Sequence, residues 1–183
     1  LSEADLSEAS LDEARLAGAN LNNATLKSAD LHNVDLTGVN LSDSVLVGAF
    51  MRRAKLRGAS LDNANLAKAV LVDADLEGAS LICADLRDAN LQGASLFEAN
   101  LHDADLVGAN LVDASLRRAN LSRADLDGVR LEGTDLAMAV LSDACILGTD
   151  FTGSNLLGTS FFFPPANADE ATKWPDGFDP EYA

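Results

Sequence analysis

Few residues in this chain could do chemistry. His32 and His102 could move protons, Cys83 and Cys145 could act as thiols, and the run Arg52, Arg53, Lys55 and Arg57 could hold a phosphate or a carboxylate. An acid–base or nucleophilic site needs such groups within hydrogen-bond reach of one another, so the elements that position them decide what they can do. No Gly-rich phosphate loop and no His, Cys, Asp and Glu cluster at metal-ligand spacing occurs in the sequence. No cofactor and no metal is therefore expected.

The positioning pattern is a beat of five. Of the 33 positions from Leu1 to Phe161 taken every fifth residue, 29 are Leu, and the others are Met51, Ile146, Phe151 and Phe161. Two residues before each lies a small residue, Ala in 24 of 32 cases. An α-helix advances about 100° per residue, so a period of five would scatter these leucines around the whole cylinder. A straight strand would send successive leucines to opposite faces. Both conflicts vanish if the chain turns a corner once per repeat, with residues two apart, such as Ala4 and Leu6, pointing inward and the other three outward.

Outward residues say how many corners close one coil. At the position before each Leu, seven pairs twenty residues apart are identical, among them Asn20 with Asn40 and Asp105 with Asp125, against two pairs at a lag of fifteen. Gly18, Gly38, Gly58 and Gly78 also form one column. Each coil thus has four faces, which we number by their central leucines: Leu1, Leu6, Leu11 and Leu16 begin the first to fourth. Coil 1 is residues 1–20 and coil 8 residues 141–160, a rod about 38 Å tall at roughly 4.8 Å per coil. On the second face the central ladder runs Leu6, Leu26, Leu46, Leu66, Leu86, Leu106 and Leu126. Each buried Leu is worth on the order of 1.5–3 kcal/mol.

Units such as AGANL, KSADL, QGASL, VGANL and SRADL match A(D/N)LXX, so residues 1 to about 163 resemble the pentapeptide repeat family. The resemblance implies a right-handed quadrilateral β-helix, an all-β solenoid of about eight coils. It also implies a function to test, because some members resemble B-form DNA, bind type II topoisomerases such as DNA gyrase and protect against quinolones. This chain lacks the loop insertions of those members. Its WPDGFDP tail is more similar to members from photosynthetic bacteria that have no assigned biochemistry.

Asp or Asn fills 17 of the 32 positions before Leu and Ser or Thr another seven, a pattern expected of side chains that hydrogen-bond turn backbone. On this geometry His32 and His102 fall on different faces about four coils apart, so no histidine pair or triad is expected and the chain reads as a non-enzyme. Cys83 and Cys145 are too far apart for a disulfide. Two free thiols fit a reducing, cytoplasmic setting, and no apolar run is long enough to span a membrane.

Residues 164–183 read as a C-terminal capping tail. Pro164 and Pro165 should stop the last coil, Ala166 to Lys173 reads as a short helix with Asn167 as its cap, and Trp174 and Phe178 are expected to cover the Phe ladder. The N-terminal end has no comparable lid. That predicts either a native segment ahead of Leu1 or an end that stacks on a partner, most simply a second copy.

Net charge is −16. Three faces carry −4 each, the fourth is neutral and the tail adds −4, which argues against direct binding of DNA or RNA. The basic run at Arg52–Arg57 is expected to pair with Asp35, Asp73, Asp75 and Glu77 one coil away. More suggestive are Val45, Val47, Phe50, Ala67, Val70 and Val72, all at outward positions on two adjacent faces of coils 3 and 4. They predict an exposed apolar patch for an unidentified protein partner or for homodimer contact, although β-branched residues also suit a strand surface.

Overall fold

The computed structural model describes residues 1–161 and 168–179. Every repeat contributes one parallel bridge to the residue twenty positions on, from Asp5 with Thr25 to Val140 with Ser160. The chain therefore winds as eight square coils with four backbone-equivalent faces.

Five N–H groups per unit must find acceptors, and their accounting explains the motif. In the unit around Leu26, Leu26 N–H donates to the Val45 carbonyl at 2.7 Å and Ser28 N–H to Val47 at 3.0 Å, both in the next coil. Val45 N–H returns one bond to Ala24 at 2.9 Å, and Ala29 N–H closes the corner on Leu26 at 3.1 Å. The remaining N–H, one residue after the Leu, has no backbone acceptor. All seventeen Asp and Asn residues before a central position supply it with a side-chain oxygen, as Asn20 does for Asn22 and Asp105 for Val107. The D/N of the motif is a backbone cap repeated around the rod.

Inside, the leucines and alanines form one continuous core, with Leu21 to Leu136 on the axis at most 1 % exposed. Corners carry the strain. In all 32 units the second residue after the central one has φ between 53° and 70°, and twenty of those residues are not glycine. None is β-branched or aromatic, whereas the residue just before it carries Thr37, Val47, Ile82 and Val107. Left-handed backbone explains that exclusion. Gly133→Ala is expected to lose about 1–2 kcal/mol, because an alanine there would keep φ near +70° and bring its Cβ to 2.6 Å from an Asp113 oxygen. Met138→Gly, at φ 61° on the surface, should instead gain about 0.5 kcal/mol in denaturant unfolding.

The C-terminal end departs from expectation. Residues 168–173 form no helix; Asn167 lies outside the described residues. Thr172, Lys173 and Trp174 instead repeat the inward, outward, inward order of Thr149, Asp150 and Phe151, one coil above them on the third face. Phe151 N–H donates to the Lys173 carbonyl at 2.8 Å, and Lys173 N–H to the Thr149 carbonyl at 2.9 Å. The Asp169 carboxylate accepts from the N–H groups of Ala171 and Thr172, making a turn where a helix would have begun. These tertiary bonds outweigh the local helix tendency of a short segment. Trp174 stacks on Phe151 at 5.1 Å and 3°, and Phe178 on Trp174 at 5.1 Å, with Phe161 edge-on to both Phe151 and Trp174.

Lys173 Nζ lies 2.5 Å from Asp150. Burial raises the Asp150 pKa, but hydrogen bonds from Lys173 and Thr152 outweigh it and bring the carboxyl down to about 2. Since the folded value lies below the unfolded one, this contribution is whole above about pH 4 and is lost as pH falls toward the folded value. Trp174 fluorescence should report loosening of the cap across that window. Asp150→Asn should abolish that component.

Candidate functional site

Candidates for proton chemistry are separated as the period requires, with His32 on the third face of coil 2 and His102 on the first face of coil 6. One expectation needs correction. Coil winding lines up a serine, a histidine and a carboxylate: Ser122 Oγ is 2.9 Å from His102 Nδ1, and His102 Nε2 is 3.1 Å from Asp103. Residues twenty apart are neighbours across the ladder, which a search by sequence proximity does not see. The serine hydroxyl and the N–H groups beside it have other partners as well. Ser122 Oγ also lies 2.6 Å from Asn120 Oδ1, an acceptor that competes with His102 for its proton. The N–H groups of Ser122 and Arg123 are already bonded, to Asn120 and Ser142, so these two backbone donors are not open to an oxyanion. With Arg123 also 2.7 Å from Asp103, the group clasps coils 6 and 7 together. Among the described residues no group of three or more His, Cys, Asp or Glu could hold a metal ion. Cys83 and Cys145 are free thiols.

The apolar group on the second and third faces is only partly exposed. Phe50 is 45 % exposed and Val45 36 %, Val47, Ala67 and Val70 are half-buried, and Val72 is 9 % exposed. Val72 therefore belongs to the rod's own packing and is removed from the expected patch. Phe50 is held from beneath, its ring stacked on His32 with centroids 6.1 Å apart and planes 10° from parallel. His32 in turn bonds Asp30 through Nδ1 and through its N–H, and these bonds, the side-chain one foremost, hold the Asp30 carboxyl below its ordinary range.

Position matters as much as exposure. Val45, Phe50, Lys55 and Val70 stand where Asp, Asn, Ser or Thr stands in three quarters of the units, and none can accept the turn N–H. They are four of only eight such departures, clustered in coils 3 and 4. Beside them, Arg53 pairs with Asp73 at 3.8 Å, and Arg57 with Glu77 at 2.6 Å and Asp75 at 3.6 Å, whereas the expected ion pair to Asp35 does not form among the described residues. Arg52 and Lys55 are exposed and make no ion pair among the described residues.

A second apolar surface escaped the sequence reading. Leu157 is 74 % exposed, Met138 50 % and Val140 36 %, at the corner of the fourth and first faces near the C-terminal end. Their outward positions in the five-residue frame are the signal that could have found them.

A square solenoid wound on a leucine and alanine core, with its polar side chains outward, is a repeat protein. The pentapeptide-repeat family model matches in eight copies that together run from residue 1 to 158, and the chain belongs to the pentapeptide repeat family. Its β-helix is accordingly the right-handed quadrilateral one. Among solved structures it is similar to HetL, a pentapeptide repeat protein involved in heterocyst differentiation regulation from the cyanobacterium Nostoc sp. strain PCC 7120. Identity there is 32 % over 97 % of this chain and 88 % of that one, with a TM-score of 0.51. A pentapeptide repeat protein from the Arabidopsis thaliana thylakoid lumen is 32 % identical over 54 % of this chain and 69 % of that one, with a TM-score of 0.53. QnrB1, a plasmid-mediated fluoroquinolone resistance protein, is matched at 19 % identity over 84 % of this chain and 92 % of that one, with a TM-score of 0.44. No match was found among curated protein sequences. Among the described residues no helix is long and apolar enough to cross a membrane.

Proposed function

We propose that this chain is a non-catalytic interaction rod that contacts a protein partner through the Val45, Val47, Phe50 and Val70 corner. The observation that carries this reading is the exchange of capping side chains for apolar ones at Val45, Phe50 and Val70, with Phe50 the most exposed aromatic ring among the described residues. Departures from a local rule that bring no gain in stability mark surfaces kept for another use. The likeness to HetL supports a regulatory contact. Two free thiols support a reducing, cytoplasmic setting.

Affinity capture from the native host with wild type, F50S/V70S and L157S tests the assignment. Partners lost with F50S/V70S and retained with L157S support it. The reverse pattern would move the contact to the C-terminal corner, and unchanged capture by both variants would remove the reading. Sedimentation of the same variants decides whether either patch holds a homodimer.

The net charge of −16 on a rod favours one other reading, a DNA-mimicking modulator of DNA gyrase or of another nucleic-acid-binding protein. Against it stands the spread of charge over three faces. A supercoiling assay with no inhibition at high micromolar protein would dismiss it.

A further inference from the structure

We propose that the corner between the second and third faces of coil 3, residues 41–60, docks an acidic peptide segment carrying an aromatic or branched aliphatic anchor. The proposal rests on the reading of that corner as the contact surface and adds the chemistry of what it contacts.

Charge singles out the same coil as the exposed ring does. Coil 3 holds one carboxylate, Asp43, against Arg52, Arg53, Lys55 and Arg57, a net of +3, while each of the other seven coils sums to between −1 and −4. Arg53 and Arg57 spend their charge on coil 4, but Arg52 does not. Lys27 and Lys68, both exposed and without an ion pair among the described residues, lie on the second face one coil below and one coil above. Stacking through Ser28 N–H to the Val47 carbonyl and Gly48 N–H to the Ala67 carbonyl sets them at the rim of Val45 and Val47. An apolar floor with three uncommitted cations at its edge is complementary to a segment that alternates carboxylates with a large apolar side chain.

The backbone narrows how such a segment is held. Val45 and Phe50 N–H groups are already bonded to the Ala24 and Ala29 carbonyls at 2.9 Å, so no free ladder edge is open for strand addition on these faces. Recognition falls chiefly to side chains, and Phe50 is pre-positioned for it by its stack on His32. The N–H groups of Val47 and Arg52 follow Val45 and Phe50, which cannot cap them, and have no acceptor among the described residues. They add donors to a surface that already favours carboxylate oxygens. A nucleic acid offers anionic charge as well, but its uniform charge meets the net −16 of the whole rod and gains nothing from the apolar floor.

Fluorescence anisotropy with a labelled twelve-residue peptide of Asp, Glu, Phe and Leu tests this. The controls are the same peptide with Ser for Phe and Leu, and a single-stranded oligonucleotide of equal charge. The protein variants are F50S, R52E/K68E and, far from the corner, R117E/R118E, each checked by thermal melting. F50S and R52E/K68E should each weaken the acidic peptide by about tenfold or more, with R117E/R118E unchanged and the Ser peptide weak. Binding lost with F50S but untouched by R52E/K68E would overturn the acidic partner while leaving the contact surface in place. No peptide binding, equal binding by all variants, or an oligonucleotide that binds as tightly as the peptide would each overturn the proposal.

Discussion

Leu86→Ala is expected to destabilise the rod by about 3 kcal/mol, and Leu6→Ala, the same residue type in the same ladder, by less than half as much. Leu86 is fully buried between Leu66 below and Leu106 above, in coils whose spacing is held by bridges on every face. The walls cannot fall inward, so the cavity stays open and the lost packing is not recovered. Leu6 sits in coil 1 of residues 1–183, only partly buried, where solvent already reaches it. In a solenoid each coil is stabilised by its neighbours, so a defect at Leu86 weakens the interfaces on both sides, while in residues 1–183 one at Leu6 weakens the interface with coil 2. Urea unfolding of both variants against wild type measures the difference. Equal losses would contradict a core whose contribution depends on coil position.

Trp174→Ala should cost about 3 kcal/mol and bring aggregation with it. Trp174 is the ring that covers Phe151, which is fully buried, and it also positions Phe178. Its removal uncovers the aromatic end of the core and frees the strand-like segment around Lys173 that pairs with Asp150. Thermal melting with sedimentation at raised concentration checks both parts. A variant that melts and sediments as wild type does would show that the tail is an appendage and no cap.

What could be read from the sequence follows from what the period encodes. The five-residue beat of Leu and Ala specifies which side chains point inward, and identities at a lag of twenty specify the coil. The role of Asp and Asn was also legible, because a short polar side chain before a turn has few other physical uses. Contacts between coils were harder. The clasp adds Ser122 to the neighbours His102 and Asp103 only across one coil, and the seat of Phe50 on His32 depends on ring orientation within a column. Residues 168–173, the described part of the helix expected over 166–173, depart from expectation because a charged stretch after prolines has helix character by composition. Their true pattern, Thr172, Lys173 and Trp174 over Thr149, Asp150 and Phe151, is displaced by 23 residues instead of twenty and so falls outside the frame. Val72 differs from expectation for a related reason: an outward position in the frame is not the same as solvent exposure.

Four equivalent faces give the rod the arithmetic of a dial. One repeat is a quarter turn, so inserting a single five-residue unit ahead of coil 3 would leave the interior chemically unchanged and swing the Phe50 corner through a right angle relative to coils 1 and 2. Four inserted units would restore the direction and shift the corner by one storey, about 4.8 Å along the axis. Lengthening this molecule therefore re-aims its surface long before it disturbs its core.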